Sequence, residues 1–161
     1  MKTKYDVYIS YKISGNGSGE LDQESKENVF PVVLAIGEMI EKLGLNPFIP
    51  HKFDEKYPAK NLIAEIYPRD IAILRQCRCM VVFHNNDASD GRGIEAQFCV
   101  QQNIPIILIA KDLTKVSPML AGIPAIRREI IFTSTTEILP VVQEAVQSLI
   151  RPPLATAIIA L

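Results

Sequence analysis

Two unbroken apolar runs constrain this chain most: Cys79-Met80-Val81-Val82-Phe83 and Pro105-Ile106-Ile107-Leu108-Ile109-Ala110. Neither alternates with polar residues, as a strand with one wet face would, so both belong at the centre of a parallel sheet covered on both sides. Three further segments read as strands: Asp6 to Ser10, Asn46 to Pro50, and Glu129 to Phe132 as an edge strand. Between them lie segments of helical period. From Lys26 to Leu43 the period is carried by Val29, Val33, Ile36, Ile40 and Leu43, with Pro31 near the helix start and Gly44 as the stop. From Pro58 to Gln76 it is carried by Ile63, Ile66, Ile71 and Leu74, and Pro68 should kink or split that helix. Helices are also expected from about Ile94 to Asn103 and from Thr135 to Ile150, whereas Ser14 to Glu24 is too polar for a core. The expected fold is an α/β three-layer sandwich with a mainly parallel, flavodoxin- or Rossmann-like five-stranded sheet flanked by helices. It occupies residues 1–151 as one domain, and residues 152–161 form an apolar tail that packs on a neighbouring surface or frays.

Composition excludes several classes of function. With 161 residues the chain can bury a core without disulfides or a metal, and a net charge of −1 is wrong for a nucleic-acid polymer or an anionic membrane surface. No apolar run reaches membrane-spanning length, and the first residues lack the apolar stretch of a signal peptide. Cys77, Cys79 and Cys99 lack the spacing of a zinc site and read as reduced apolar residues of a cytoplasmic protein. His51 and His84 have no serine or cysteine in a triad arrangement, and each reads as a solvated or core histidine.

In a parallel α/β sheet the ligand sits beyond the carboxyl ends of the strands. The segment Ala88-Ser89-Asp90-Gly91-Arg92-Gly93-Ile94-Glu95 follows a buried strand there and opens a helix. Gly91 and Gly93 let the backbone approach a ligand, the helix N-terminus offers N–H groups to an anion, and Ser89 adds a hydroxyl. Glu95, read as lying in the first helical turn, is equally a capping-box glutamate or a catalytic carboxylate on spacing alone. Asp70 is the second carboxylate of interest. Its place after Pro68 favours an N-cap of a half-helix Ile71 to Gln76, yet two carboxylates converging on one pocket would suit glycosidic cleavage.

With these segments quoted, the chain resembles the nucleoside 2-deoxyribosyltransferase superfamily, and within it the nucleoside 5′-monophosphate N-glycoside hydrolases of deoxynucleotides or cytidylates. The likeness spans about Tyr5 to Ile150. It rests on Val7-Tyr8, Asp70 before an apolar helix, Met80 to Phe83, Ser89-x-Gly91-x-Gly93-x-Glu95 and Ile104 to Leu108. The resemblance implies that Glu95 meets the anomeric carbon, that Asp70 assists by positioning and proton transfer, and that Tyr8 lines the sugar site. It also implies that Ser89, with Gly91 and Gly93, receives a phosphate, because deoxyribosyltransferases tend to carry an aspartate where Ser89 stands. Ser117 resembles a second phosphate-contacting serine that these hydrolases contribute from a neighbouring subunit, which implies a homodimer with shared sites. No metal or organic cofactor is implied.

Departures from that pattern matter. The first loop of the hydrolases carries glycines and an arginine, whereas here it reads Ser10-Tyr11-Lys12-Ile13-Ser14-Gly15, leaving Lys12 to meet the phosphate. The transferases' C-terminal aromatic and Asn-containing segment is absent, which disfavours base exchange between nucleosides. The opening Tyr5 to Tyr11 also looks like the first strand of TIR domains, some of which cleave NAD with a glutamate. A catalytically silent nucleotide-binding or signalling module on the same fold is the reading of a different class.

Overall fold

The computed structural model describes residues 4–13, 21–56 and 63–150; the expected apolar tail and the first turns of the expected helix from Pro58 lie outside them. Five strands alternate with helices: β1 (Val7–Ser10), α1 (Phe30–Lys42), β2 (Pro47–Phe48), α2 (Pro50–Lys56), α3 (Ile63–Leu74), β3 (Cys79–His84), α4 (Asp90–Gln102), β4 (Ile106–Ala110), α5 (Pro118–Ala121), β5 (Ile126–Ile131) and α6 (Thr135–Ile150). The sheet order is β2-β1-β3-β4-β5 and every pairing is parallel, the flavodoxin-like arrangement. The chain switches direction across the sheet between β1 and β3, so the loops after these strands flank one crevice.

Every residue of β1, β3 and β4 is buried, which is why the two apolar runs do not alternate. Strand period divides them between two cores. Val7, Ile9, Val81 and Phe83 face α1 and α6, while Tyr8, Met80 and Val82 face the side of α3 and α4. The edge strand β5 keeps only Ile130 buried.

Several boundaries differ from the sequence reading. Gly44 does end the α1 region, at φ +76°, a value that costs glycine little. Pro68 neither splits α3 nor ends it, being carried inside one continuous helix. Pro50, read as the end of a strand, instead opens the short helix α2. Helix α4 begins at Asp90, four residues before the expected start, and it is capped by the Ser89 side chain.

Candidate active site

Residues 8 and 10 of β1 share a face by strand period, and that face looks at α4. The Tyr8 hydroxyl donates to Glu95 Oε1 at 2.7 Å, and the Ser10 hydroxyl donates to Glu95 Oε2. Both carboxylate oxygens are therefore held, and the side chain is fixed at the sheet's carboxyl edge. With Ser89 as N-cap, Glu95 is the sixth helical residue and lies in the second turn, not the first. A capping-box glutamate occupies the third position, so that reading is excluded by register. Burial pushes the Glu95 carboxyl up to about 7; the hydrogen bonds from Ser10 and Tyr8 oppose the rise and the Asp70 charge adds to it. Tyr8 is held well above the ordinary tyrosine range by burial and by Glu95, so its hydroxyl remains a donor.

Asp70 reaches the same place from the other side. It lies inside α3 and is no N-cap, because the helix runs through Pro68 without interruption. Arg69 Nε donates to Asp70 Oδ1 at 2.7 Å, and Arg69 Nη1 pairs with Asp54 of α2. Burial raises the Asp70 carboxyl, and the Arg69 guanidinium and, more weakly, the nearby Tyr8 hydroxyl pull against that rise. Tyr8 thus stands between two carboxylates, hydrogen-bonded to Glu95 and facing Asp70.

The loop entering α4 is pinned by Arg92, the residue between the two glycines. Its buried guanidinium donates to Phe83 O at 3.1 Å and to Asp87 Oδ1 at 2.7 Å. Ser89 Oγ accepts from the Arg92 N–H at 3.5 Å, a long capping contact at the helix start. Gly91 and Gly93 sit in the first turn, and neither needs a positive φ. A Cβ at Gly93 would meet nothing within 4 Å and one at Gly91 only Ser89 Oγ at 3.8 Å, so the chain's own packing does not demand glycine at either position.

A cavity of about 940 Å³ runs along the outer face of α4, lined among others by Ser89, Gly93, His84, Lys115 and Ser117. The phosphate candidates Ser89 and Ser117 therefore share one cavity of a single chain, with Ser117 capping α5 through the Met119 N–H at 3.3 Å. Glu95, Tyr8 and Asp70 are not among its walls, since Glu95 points from α4 toward β1. Gly91 and Lys12 do not line it either; the Lys12 carbonyl accepts from Ser25 Oγ at 3.2 Å just beyond β1. The structure thus joins Tyr8, Asp70 and Glu95 in one cluster and Ser89, Gly93 and Ser117 in another. Among the described residues no group of three His, Cys, Asp or Glu could hold a metal ion, and no helix is long and apolar enough to cross a membrane. His84 is buried, and burial lowers its pKa; His51 pairs with Glu55 at 3.1 Å. All three cysteines are buried and unbridged.

Ser10, Arg69, Asp54 and Arg92 were not singled out by sequence reasoning. Ser10 had a usable signal, because it shares the strand face of Tyr8. Asp54 had none while α2 was unrecognised, and a buried arginine between two glycines follows no spacing rule.

No family model matches the sequence, and no curated protein matches it. Solved structures do. The CMP N-glycosidase BcmB of Clostridium botulinum aligns with a TM-score of 0.62, over 87% of this chain and 98% of its own, at 15% identity. BlsM aligns at 0.70 over 94% and 97%, with 16% identity. A 2-deoxyribosyltransferase from Bacillus psychrosaccharolyticus aligns at 0.60 over 83% and 90%, with 12% identity. The fold is accordingly the one that an N-glycosidase, a deoxyribosyltransferase and BlsM have in common, as the sequence resemblance implied. At these identities the likeness is one of fold, and the chemistry has to be argued from the site.

Proposed function

We propose that this chain is an N-glycosidase of the nucleoside 2-deoxyribosyltransferase superfamily, hydrolysing a (deoxy)ribonucleoside 5′-monophosphate to free base and sugar 5-phosphate. One observation carries the reading: a glutamate on α4, gripped through both oxygens by Tyr8 and Ser10, with Asp70 across the tyrosine. The fold shared with a CMP N-glycosidase supports it. As the glycosidic bond breaks, positive charge develops on the sugar ring, and the Glu95 carboxylate stabilises it or captures the anomeric carbon covalently. Tyr8, buried behind it, keeps the carboxylate aimed. Asp70 assists protonation of the departing base or orients the attacking water, which completes hydrolysis. No metal or organic cofactor takes part.

The phosphate lies at the N-terminus of α4, where Ser89, Gly91 and Gly93 leave open space and backbone N–H groups meet negative charge. Lys12, two residues beyond Ser10 on the same sheet edge, supplies a counter-charge, and Ser117 a second hydroxyl. The protein works as a homodimer: Tyr67, Ile94 and Met119, exposed by 60%, 50% and 84%, all border the cavity that holds Ser89 and Ser117, and a second copy covers them.

The test is a substrate panel of nucleosides, their 5′-monophosphates and NAD, with free bases separated by chromatography. Release from monophosphates in preference to nucleosides is expected. Base exchange between free nucleosides would replace this reading with a deoxyribosyltransferase, whose fold this chain also has. Release from NAD alone would point to TIR-like chemistry, and silence on every substrate to a binding module.

A further inference from the structure

Neighbouring residues on a helix do not face each other, since side chains meet at spacings of three and four. Arg69 and Asp70 are consecutive in α3 and nevertheless bond at 2.7 Å. A contact of that kind needs something outside the helix to hold it, and α2 provides it twice. Asp54 pairs with Arg69 Nη1, and the guanidinium lies 5.1 Å from the centre of the Phe53 ring. The three charged side chains are only 11–13% exposed, so water competes weakly for their bonds. Phe53 continues through Phe48 at 5.5 Å to Tyr8 at 5.3 Å, which packs α2 against the tyrosine itself.

We propose that Arg69 is a positioning residue: anchored on α2 by Asp54 and Phe53, its guanidinium holds the Asp70 carboxylate where it faces Tyr8 and Glu95. The proposal rests on the reading above that Asp70 and Glu95 are the carboxylates at the sugar, and it assigns α2, between β2 and α3, a part in their alignment. The guanidinium uses Nε for Asp70 and Nη1 for Asp54, two donors at a fixed angle on one planar group. A lysine ammonium has no such fork. Among the described residues, the charged and titratable groups facing Asp70 are Arg69 from its own helix, Asp54 from α2, Tyr8 from β1, Tyr11 just beyond β1, and Glu95 from α4. Arg69 alone among them is a cation. Its removal leaves Asp70 among carboxylates, while neutralising Asp54 removes one of those carboxylates and leaves the cation to Asp70.

This predicts shifts of opposite sign, which loss of packing alone would not produce. The full chain and its Arg69→Met, Arg69→Lys and Asp54→Asn variants are titrated by NMR of the side-chain carboxyl carbons, with steady-state base release measured in parallel. In Arg69→Met the Asp70 midpoint should rise by about one unit or more, and in Asp54→Asn it should fall. The kcat of Arg69→Met should drop roughly tenfold with KM less affected, and Arg69→Lys should recover only part of it. An Asp70 midpoint unmoved in Arg69→Met, or moved in the same direction by both changes, overturns the proposal. Should Arg69→Met fail to fold, Arg69→Lys decides: a lysine lacks the fork that holds both carboxylates, so the Asp70 midpoint should still rise, and an unmoved midpoint there overturns the proposal. A wild-type protein that releases no base removes the hydrolase reading, while the carboxyl titration still decides whether Arg69 governs Asp70.

Discussion

A carboxylate that titrates near neutrality has two consequences that can be measured separately. Glu95 is pushed up to about 7, above the ordinary glutamate value, because folding withdraws it from water. Its protonated form is therefore the one the folded state favours. The associated stability is complete below the ordinary glutamate range near pH 4.5 and is lost as pH rises through about 7. Glu95→Gln copies the neutral form, so at pH 8 this variant should be more stable than wild type, by about 1–3 kcal/mol in chemical denaturation. At pH 4 the two should be equal. Activity should move the other way, since the ionised carboxylate stabilises the developing cation. Base release by the wild type should climb through pH 7 and be abolished in Glu95→Gln. A variant that keeps its turnover and merely loses stability would return Glu95 to a structural role. Asp70→Asn should slow release less severely, and wild-type rates in that variant would remove Asp70 from the chemistry.

The start of α4 tests the phosphate assignment, and its geometry makes the test clean. Ser89 is at once the N-cap, through the Arg92 N–H, and a wall of the cavity. Aspartate caps a helix as well as serine does and suits the positive end of the helix dipole. Ser89→Asp should therefore fold normally while setting like charge against a 5′-phosphate. Wild type is expected to prefer the monophosphate over its nucleoside by roughly tenfold or more in kcat/KM. Ser89→Asp should erase most of that preference and leave nucleoside cleavage little changed. Ser89→Ala, which loses the cap, should cost about 1 kcal/mol in thermal unfolding. Equal rates of wild type on both members of each nucleoside and nucleotide pair would end the nucleotide reading.

At the scale of the molecule, what was legible in the sequence followed from period and composition. Two unbroken apolar runs sufficed for a parallel sheet, and α6 begins and ends at the expected residues, Thr135 and Ile150. The start of α4 was hidden because Gly91 and Gly93 read as loop, although Ser89 is a good cap and both glycines adopt ordinary helical backbone. Pro50 concealed α2 in the same way, and with it the partner of Arg69. Glu95 and Tyr8 could be named from the motif, but their hydrogen bond joins residues 87 apart, a contact that no local pattern encodes.

Assembly is the remaining question at this scale, and it yields the last prediction. Met119 is 84% exposed and follows Ser117 by two residues, on the border of a cavity whose rim also carries exposed Tyr67 and Ile94. A second copy docking there would cover these side chains and carry Ser117 against its neighbour's α4. Light scattering should thus find a dimer, and Met119→Arg should weaken it by burying an unpaired charge. Whether Ser117 serves its own chain or the other is decided by mixing two crippled proteins, Glu95→Gln and Ser117→Ala. If Ser117 acts across the interface, subunit exchange creates one site in each mixed dimer with both residues intact, so activity on the monophosphate should return on mixing. If it acts within its own chain, every site keeps one defect and mixing restores nothing. A fully active monomer at assay concentration, or a mixed sample no better than its parts, would contradict the shared site and leave Ser89 and Ser117 as neighbours in one chain's own cavity.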